Sequence, residues 1–570
     1  MSTESFIPGK DASLESTIRT MQAKLAARGF HLDESSWLNE VEAIWSCHMK
    51  DHACPMLFSN GKGASELAAR ASALGEFIER LGTHYFWTHF YLGETRANRP
   101  FVHYPQERWF AHPDDGHWPQ ELLNPALHAF YNPDGEIDSR VIVDLNSGNV
   151  ERGVCALPYT RLHDGVQTWF PVNIIGNLYV SNGMAAGNTM MEARSQALSE
   201  IFERAIKYRI IRDGICLPEV PDAVIARYPG IAAGIRGLRA EGFGILVRDA
   251  SLGGRYPVMN VTLIHPKDQG IFASFGAHPR FEIALERALT ELLQGRALSS
   301  LEGFPEPGFD MEEIAAVANL EIHFVDSSGV VHWNFLRDTP DFPFVDWNFS
   351  NTTQEDYAWL CQAIADEGHD IYVADFEEQG AYSCRILAPG MSEIYPVEDL
   401  EWENNSVGND IRPALVRLPD LPDDQAAELL ADLQTSNLND ERPLWEILGL
   451  AIPVGTPWKE LRIGELKTLL ALAIGDEDAI REGCDWIQSY AQLSPARRLV
   501  YRCIDNLLNL DDVSAYRPAL VLLYGEETVR QAQALLAREE RYFGLMTLGP
   551  DMQGSSMHQT LLAAYDKLFA

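Results

Sequence analysis

The chain has 570 residues, a formal net charge of −37 at pH 7 and 46% hydrophobic residues. That length and apolar content exclude general disorder and imply roughly two to four domains of ~100–200 residues each. The acid excess excludes a general nucleic-acid surface, which needs clustered Lys and Arg, and otherwise serves solubility or the capture of a basic partner.

The N-terminal run MSTESFIPGKDASLEST has no basic start followed by an apolar stretch, so no signal peptide is expected. No uninterrupted apolar segment is long enough to cross a bilayer. The eight cysteines are scattered without a C-x-x-C pair. That usage suits a reducing cytoplasm and argues against an iron–sulfur or zinc-ribbon site. Residues 11–29 form an expected helix, with Asp11 as N-cap and Gly29 as its stop. In CHMKDHAC, Cys47, His48, His52 and Cys54 are close enough in sequence to be weighed as zinc ligands. The flanks AIWSC and PMLFS predict strands with MKDH as their turn, and the ligand spacing matches no standard closed site.

A pattern then recurs three times: an apolar run, a Ser-x-Gly turn and a helix. The runs are CPMLF, IIGNLYV and GIFA; the turns are Ser59-Asn60-Gly61, Ser181-Asn182-Gly183 and Ser274-Phe275-Gly276. Three strand–turn–helix units in one α/β (α+β) core are an internal repeat. YPVMNVTLIHP and HDIYVADF add strands. The Pro/Asp-rich stretch 418–425 reads as a linker between a core over 1–417 and a helical domain over 426–570. Beyond it, AAELLADL, ELKTLLALAIG, DAIREGCDWIQSYA, RRLVYRCIDNLLNL, ETVRQAQALLAREE and HQTLLAAYDKLF have helical spacing, broken at GDED, LSPA and DDVSAYRP. Helix pairs of this length suggest a tetratricopeptide-like array, although its signature is not clean.

The three repeat helices share one template: a polar residue, Ala-Leu, any residue, Glu, two apolar residues, then Glu or Gln. The copies are SALGEFIER, QALSEIFER and RALTELLQGR. At ~100° per residue, Ser72, Glu76 and Glu79 fall on one line, as do Gln196, Glu200 and Glu203, and Arg287, Glu291 and Gln294. Glu192 and Asn188 extend the second line upstream. Leu74, Phe77 and Ile78, and their counterparts in the other copies, lie on the opposite side. Any one such helix reads most simply as amphipathic with a wet acidic face. Three matched copies without the lysines of i,i+4 pairing read differently. If the helices converge, their carboxylates repel, and cations must offset that.

Mg²⁺ suits such a site, because it takes oxygen ligands and binds one or two carboxylates plus phosphates. Arg80, Arg204 and Arg287 sit on the same helices, and guanidinium forks match phosphate oxygens. NGKGAS and IPGKDAS lack the phosphate-loop spacing, so a polyphosphate would be held by helix faces. The residues alone do not choose ATP over other polyphosphates.

The motifs Ser72-x3-Glu76-x2-Glu79-Arg80, Glu192-x3-Gln196-x3-Glu200-x2-Glu203-Arg204 and Arg287-x3-Glu291-x2-Gln294 resemble those of the YcaO family of ATP-binding proteins. The likeness extends through FIPGKDASLE, NIIGNLYVSNGM, SLGGRYPV, FPFVDWNFS and PGMSEIYP, and is closest to the family's stand-alone bacterial type. It implies Mg²⁺ on Glu76, Glu79, Glu200, Glu203 and Glu291. It implies ATP contacts from Lys10, Ser72, Asn188, Glu192, Gln196, Arg204 and Arg287, with Arg80 and Gln294 from the same motifs. Thr17 stands where the family has a serine and keeps the hydroxyl.

The resemblance implies that ATP activates a peptide or protein amide: the amide oxygen attacks phosphorus, and a nucleophile then attacks the activated carbon. Azoline-forming members commonly end in a P-x-P-x-P tail, whereas this chain ends LLAAYDKLFA. The stand-alone type is instead linked to β-methylthiolation of an aspartate in the twelfth small-subunit ribosomal protein, as accessory to a radical-SAM methylthiotransferase. Without a cysteine cluster, this chain is not expected to be the iron–sulfur enzyme itself. The alternatives are an azoline-forming cyclodehydratase and a nucleotide-sensing adaptor. A homodimer through the C-terminal helices is left open, as is cleavage to ADP or AMP.

Overall fold

The structure is a computed structural model and describes residues 4–377, 380–436, 438–490 and 493–569. Met1–Thr3 of the N-terminal run, Ala491 at the end of one expected helical segment, and Ala570 at the end of the expected helical domain lie outside the described residues.

Three antiparallel sheets form the mixed α/β core. β1 (Leu32–Val41), β2 (Ile44–Asp51) and β3 (Phe58–Gly63) make the first, in that order. The second, larger sheet has the order β4 (Arg108–Phe110), β5 (Val154–Arg161), β11 (Tyr372–Phe376), β12 (Tyr382–Leu387), β7 (Met184–Gly187), and β6 (Gln167–Pro171) pairs with β5. β8 (Gly244–Asp249), β9 (Val258–Ile264) and β10 (Ile271–Ala277) make the third, with β9 central. The helices that matter for function are α1 (Leu14–Ala27), α2 (Glu66–Gly82), α3 (Met190–Arg212), α4 (Phe281–Glu291), α5 (Val317–Val325), α6 (Val513–Tyr524) and α7 (Ser556–Asp566).

Each sheet contributes one terminal strand that runs into one glutamate helix: β3 into α2, β7 into α3 and β10 into α4. Ser65 and Thr189 cap α2 and α3 by accepting from the Ala68 and Glu192 N–H groups. The apolar template residues Leu74, Phe77, Ile78, Leu198, Ile201, Phe202, Leu289, Leu292 and Leu293 are all buried. At about 1.5–3 kcal/mol per buried large side chain, this face offsets the repulsion among the half-buried carboxylates on the other.

Two of the three Ser-x-Gly triplets are not turns. Ser59-Asn60-Gly61 lies within β3, and Ser274-Phe275-Gly276 within β10. The serines anchor strand to helix: Ser59 Oγ donates to the Ala73 carbonyl at 2.8 Å, and Ser274 Oγ to the Ala288 carbonyl at 2.7 Å. The glycines permit the approach, since a Cβ on Gly61 would fall 2.0 Å from the Ala69 carbonyl oxygen and one on Gly276 would fall 2.4 Å from Ala288 N. In both pairs the serine precedes the alanine by 14 residues. Counted back by that offset from Ala197, the third unit aligns on Gly183, which is why Ser181-Asn182-Gly183 alone sits in a turn.

Several local expectations are corrected. IIGNLYV is no strand: Val172–Ile174 is helical and Ile175–Tyr179 forms a π-helical turn, because an apolar run of that length suits a buried helix equally well. MKDH is no turn, since Met49–Asp51 belong to β2 and the reversal follows at His52. Ser13, not Asp11, caps α1, and Asp11 instead accepts from the Thr189 and Thr353 hydroxyls. Asn188 precedes α3, and Gln294 lies in the turn after α4, so neither is on the helix assigned to it. DDVSAYRP breaks the array only at Asp511-Asp512: the preceding helix ends at Leu508, and α6 starts at Val513 and runs through Pro518.

The C-terminal region is helical. Leu418 and Leu421, in the proline-rich stretch, are buried with Leu429, Leu466 and Tyr501 in its core. α7 packs elsewhere: Leu561, Leu562 and Tyr565 are buried with Phe30, Phe77 and Trp87 of the first-sheet region. No helix among the described residues is long and apolar enough to cross a membrane.

Candidate functional site

α1 to α5 and β3 enclose a cavity of about 1300 Å³. All fifteen residues singled out from the sequence line it: Lys10, Thr17, Ser72, Glu76, Glu79, Arg80, Asn188, Glu192, Gln196, Glu200, Glu203, Arg204, Arg287, Glu291 and Gln294.

At one end a polar network joins α1 to the start of α3. Thr17 Oγ1 donates to Asn188 Oδ1 at 2.9 Å, and Asn188 Nδ2 donates to both Glu192 oxygens. Lys10 Nζ lies 3.2 Å from Glu192 Oε1, and the Asp11 N–H donates to Glu192 Oε2. Apolar Ile7, Leu14, Met21, Ala68 and Ala71 line the cavity beside it.

The carboxylates follow, further along α2 and α3. Glu76 accepts from the Asn60 N–H at 3.1 Å and pairs with Arg80 one turn on. Glu203 accepts from the Ala277 N–H and lies 3.6 Å from Arg287 Nη2. Gln196 accepts from Arg287 Nη1, Ser72 Oγ from the Lys62 N–H, and Gln294 donates to the Asn60 carbonyl. Glu200 and Arg204 approach to 3.0 Å, and the Arg204 guanidinium lies 4.7 Å over the Phe324 ring. Burial, then the neighbouring Glu200 and Glu76, holds the Glu79 carboxyl well above the usual carboxylate range against Arg80 and Arg204. Burial raises Glu200 too, with Arg204 opposing it and Glu203 adding to it.

Sequence reasoning passed over Lys62, whose ammonium pairs with Glu291. Burial pushes its pKa down to about 8, while Glu203, Glu76 and Glu200 pull it up. Strand alternation carries the missed signal: Gly61 and Gly63 press on α2, so Asn60 and Lys62 face away from that packing surface. Lys207, His278, Glu282 and Glu286 also line the cavity without belonging to the template.

The residues present fit divalent cations and a polyphosphate. Arg287 Nε is buried without a hydrogen-bond partner, which costs free energy until a ligand supplies one, while the buried Glu200 Oε1 and Arg204 Nη1 meet only each other, at 3.0 Å and in a geometry that makes no hydrogen bond. Among the described residues no three of the carboxylates bring oxygens within 4.8 Å of one another; the trio that does gather so is His103, Asp144 and Cys155, outside this cavity. Spread carboxylates suit Mg²⁺, which takes one or two of them and shares its remaining positions with phosphate and water. In CHMKDHAC, His48 instead meets Asn60 and His52 meets Asp33, while Cys47 and Cys54 are buried thiols.

A cavity walled by helix-borne carboxylates, arginines and lysines defines a metal- and phosphate-binding protein without a phosphate loop. Residues 60–392 match the family described as YcaO cyclodehydratase, ATP- and Mg²⁺-binding, and residues 408–570 match the YcaO cyclodehydratase C-terminal domain. The chain belongs to the YcaO family, and ATP and Mg²⁺ are its cofactors. It is 48% identical over 99% of its length, and 98% of the relative's, to the ribosomal protein S12 methylthiotransferase accessory factor YcaO of Escherichia coli (strain K12). It is 45% identical over 100% of its length, and 98% of the relative's, to an uncharacterized protein of Haemophilus influenzae. Among solved structures it is similar to a heterocyclase in complex with substrate and cofactor, at a TM-score of 0.47 and 16% identity, covering 70% of this chain and 57% of that one. It is also similar to YcaO from Methanopyrus kandleri bound with AMPPCP and Mg²⁺, at a TM-score of 0.42 and 16% identity, covering 71% and 97%.

Proposed function

We propose that this protein hydrolyses ATP with Mg²⁺ to activate a peptide or protein amide, and that it serves as accessory factor for β-methylthiolation of an aspartate in ribosomal protein S12. The observation that carries the ATP reading is the convergence of Glu76, Glu79, Glu200, Glu203 and Glu291 from three helices on one cavity. The accessory role is supported by the full-length similarity to the Escherichia coli factor.

In this reading ATP supplies the electrophilic phosphorus that the amide oxygen attacks. The five glutamates hold the metal ions. Lys10, Thr17, Ser72, Asn188, Glu192 and Gln196 orient the nucleotide with Gln294. Arg80, Arg204 and Arg287 neutralise phosphate oxygens. The apolar lobe by Leu14, Met21 and Ala71 takes the base and keeps water from it.

The division at 417 and 426 is retained as the functional one: a YcaO core and a tetratricopeptide-like, partner-facing helical region. Exposed Leu522 and Leu523 on α6 support contact with a partner, either a radical-SAM methylthiotransferase or a second copy of the chain. The protein works in the cytoplasm, where S12 and reduced cysteines are found.

The test has two parts. Phosphate release from ATP by the purified protein should require Mg²⁺. The intact mass of S12 from cells lacking the gene should show loss of the methylthio group. Full S12 modification in those cells would remove the accessory role, and metal-independent or absent hydrolysis would remove the enzymatic one.

A further inference from the structure

Lys207 lies one turn beyond Glu203 on α3 and is only 8% exposed. Its Nζ donates to the His323 carbonyl at 2.5 Å and to Ser327 Oγ at 2.8 Å, at the end of α5. Both acceptors are neutral. An ammonium has three donors, so one remains, and the side chain lines the cavity. Among the described residues no carboxylate reaches ion-pair distance of it; Glu203 and Asp326 act on it only through space. Burial, with Arg204 and Arg296 opposing those two acids, brings its pKa down to about 7. The His323 ring, pushed down to about 3 chiefly by burial, brings no anion either. A desolvated cation without an anion in contact is costly unless a ligand provides one.

Its place along the cavity says which anion. α3 runs from the Asn188–Thr17 end of the cavity past Glu200 and Glu203 to Lys207, which meets α5 at His323. The apolar lobe takes the base and the carboxylates take the metal-bound phosphates. The phosphate farthest from the base then lies on the Lys207 side. Helical side chains lean toward the helix N-terminus, which tips Lys207 back over Glu203, ~6 Å away along the axis.

We propose that Lys207 donates its remaining N–H to the terminal phosphate of bound ATP and so distinguishes ATP from ADP. This rests on the ATP reading above. Calorimetric titration with Mg²⁺ and either a non-hydrolysable ATP analogue or ADP tests it, on wild type, Lys207→Met, Lys207→Gln and Lys207→Arg. Loss of a charge-assisted bond should weaken the analogue by about tenfold to a hundredfold in the Met and Gln variants. ADP should change by less than about twofold, and Lys207→Arg should keep most of the preference. Equal losses for both ligands would mean that Lys207 only braces α5, and no loss for either would mean that it does not face the nucleotide; both overturn the proposal. Wild-type protein that binds neither ligand would overturn the ATP reading itself.

Discussion

The Lys62 ammonium rests on the Glu291 carboxylate and thereby ties β3 to the last turn of α4. Glu203, Glu76 and Glu200 also act on this lysine, so one protein cation stands among acids contributed by three helices. It partly neutralises, without metal, the repulsion that convergence creates.

Replacing Lys62 with Met should therefore hurt the metal-free protein most. The expected loss is ~1–3 kcal/mol in urea unfolding, below the full value of a buried pair because both partners are partly exposed. Mg²⁺ binds the folded form and should restore much of it. The rise in melting temperature on adding Mg²⁺ should be larger for Lys62→Met than for wild type; an equal or smaller rise counts against the lysine as an internal counter-ion.

Glu76→Ala and Glu203→Ala should each lower Mg·ATP hydrolysis by about a hundredfold or more, since a lost ligand misplaces a metal that neutralises phosphate charge. Both side chains lie at the cavity wall rather than in the apolar core. Far-ultraviolet circular dichroism should accordingly be unchanged. Undiminished phosphate release in both variants would reject the site.

The template was legible because a helix repeats its face by geometry: residues at i, i+4 and i+7 align whatever the fold does later. The burial of Leu74, Phe77 and Ile78 opposite Glu76 and Glu79 follows from that alone. Lys62 and Lys207 escaped because each reaches the site through tertiary packing, one from a strand and one from an extra helical turn. Ser59 and Ser274 carried a true repeat signal with a mistaken meaning. Their Gly partners mark close strand–helix approach, which sequence alone does not separate from a turn. The helical start at Val172 and the persistence of α6 through Pro518 were hidden for a similar reason: local propensity gave way to burial and context.

Mg²⁺ affinity should depend on pH with a definite sign. Burial and like charge raise Glu79 and Glu200 in the metal-free protein, so their carboxyls hold protons to higher pH than ordinary glutamates. Metal needs the ionised form, so binding must release protons. Affinity should rise with pH until those groups have ionised and then level off. Titration in two buffers of different ionisation enthalpy should detect the proton release, and Glu79→Gln should reduce it. Affinity that is flat across the acid range would contradict the raised carboxyls.

Removal of α7 should damage the N-terminal core rather than only the helical region to which it belongs in sequence. The Trp87 indole donates to the Leu561 carbonyl at 3.1 Å, and the Tyr565 hydroxyl donates to the Val102 carbonyl. Leu561, Leu562 and Tyr565 are at most 1% exposed. Deleting them uncovers Trp87 and Phe77, and each lost large side chain costs about 2–5 kcal/mol. A chain stopped at Gly554 should bind an environment-sensitive apolar dye, expose Trp87 to fluorescence quenchers and lose ATP binding, because Phe77 lies on the helix that carries Glu76 and Glu79. Substituting Leu561→Ala in the full chain should shift unfolding in the same direction by a smaller amount. A truncated chain that keeps wild-type fluorescence and nucleotide affinity would show that the core closes without α7.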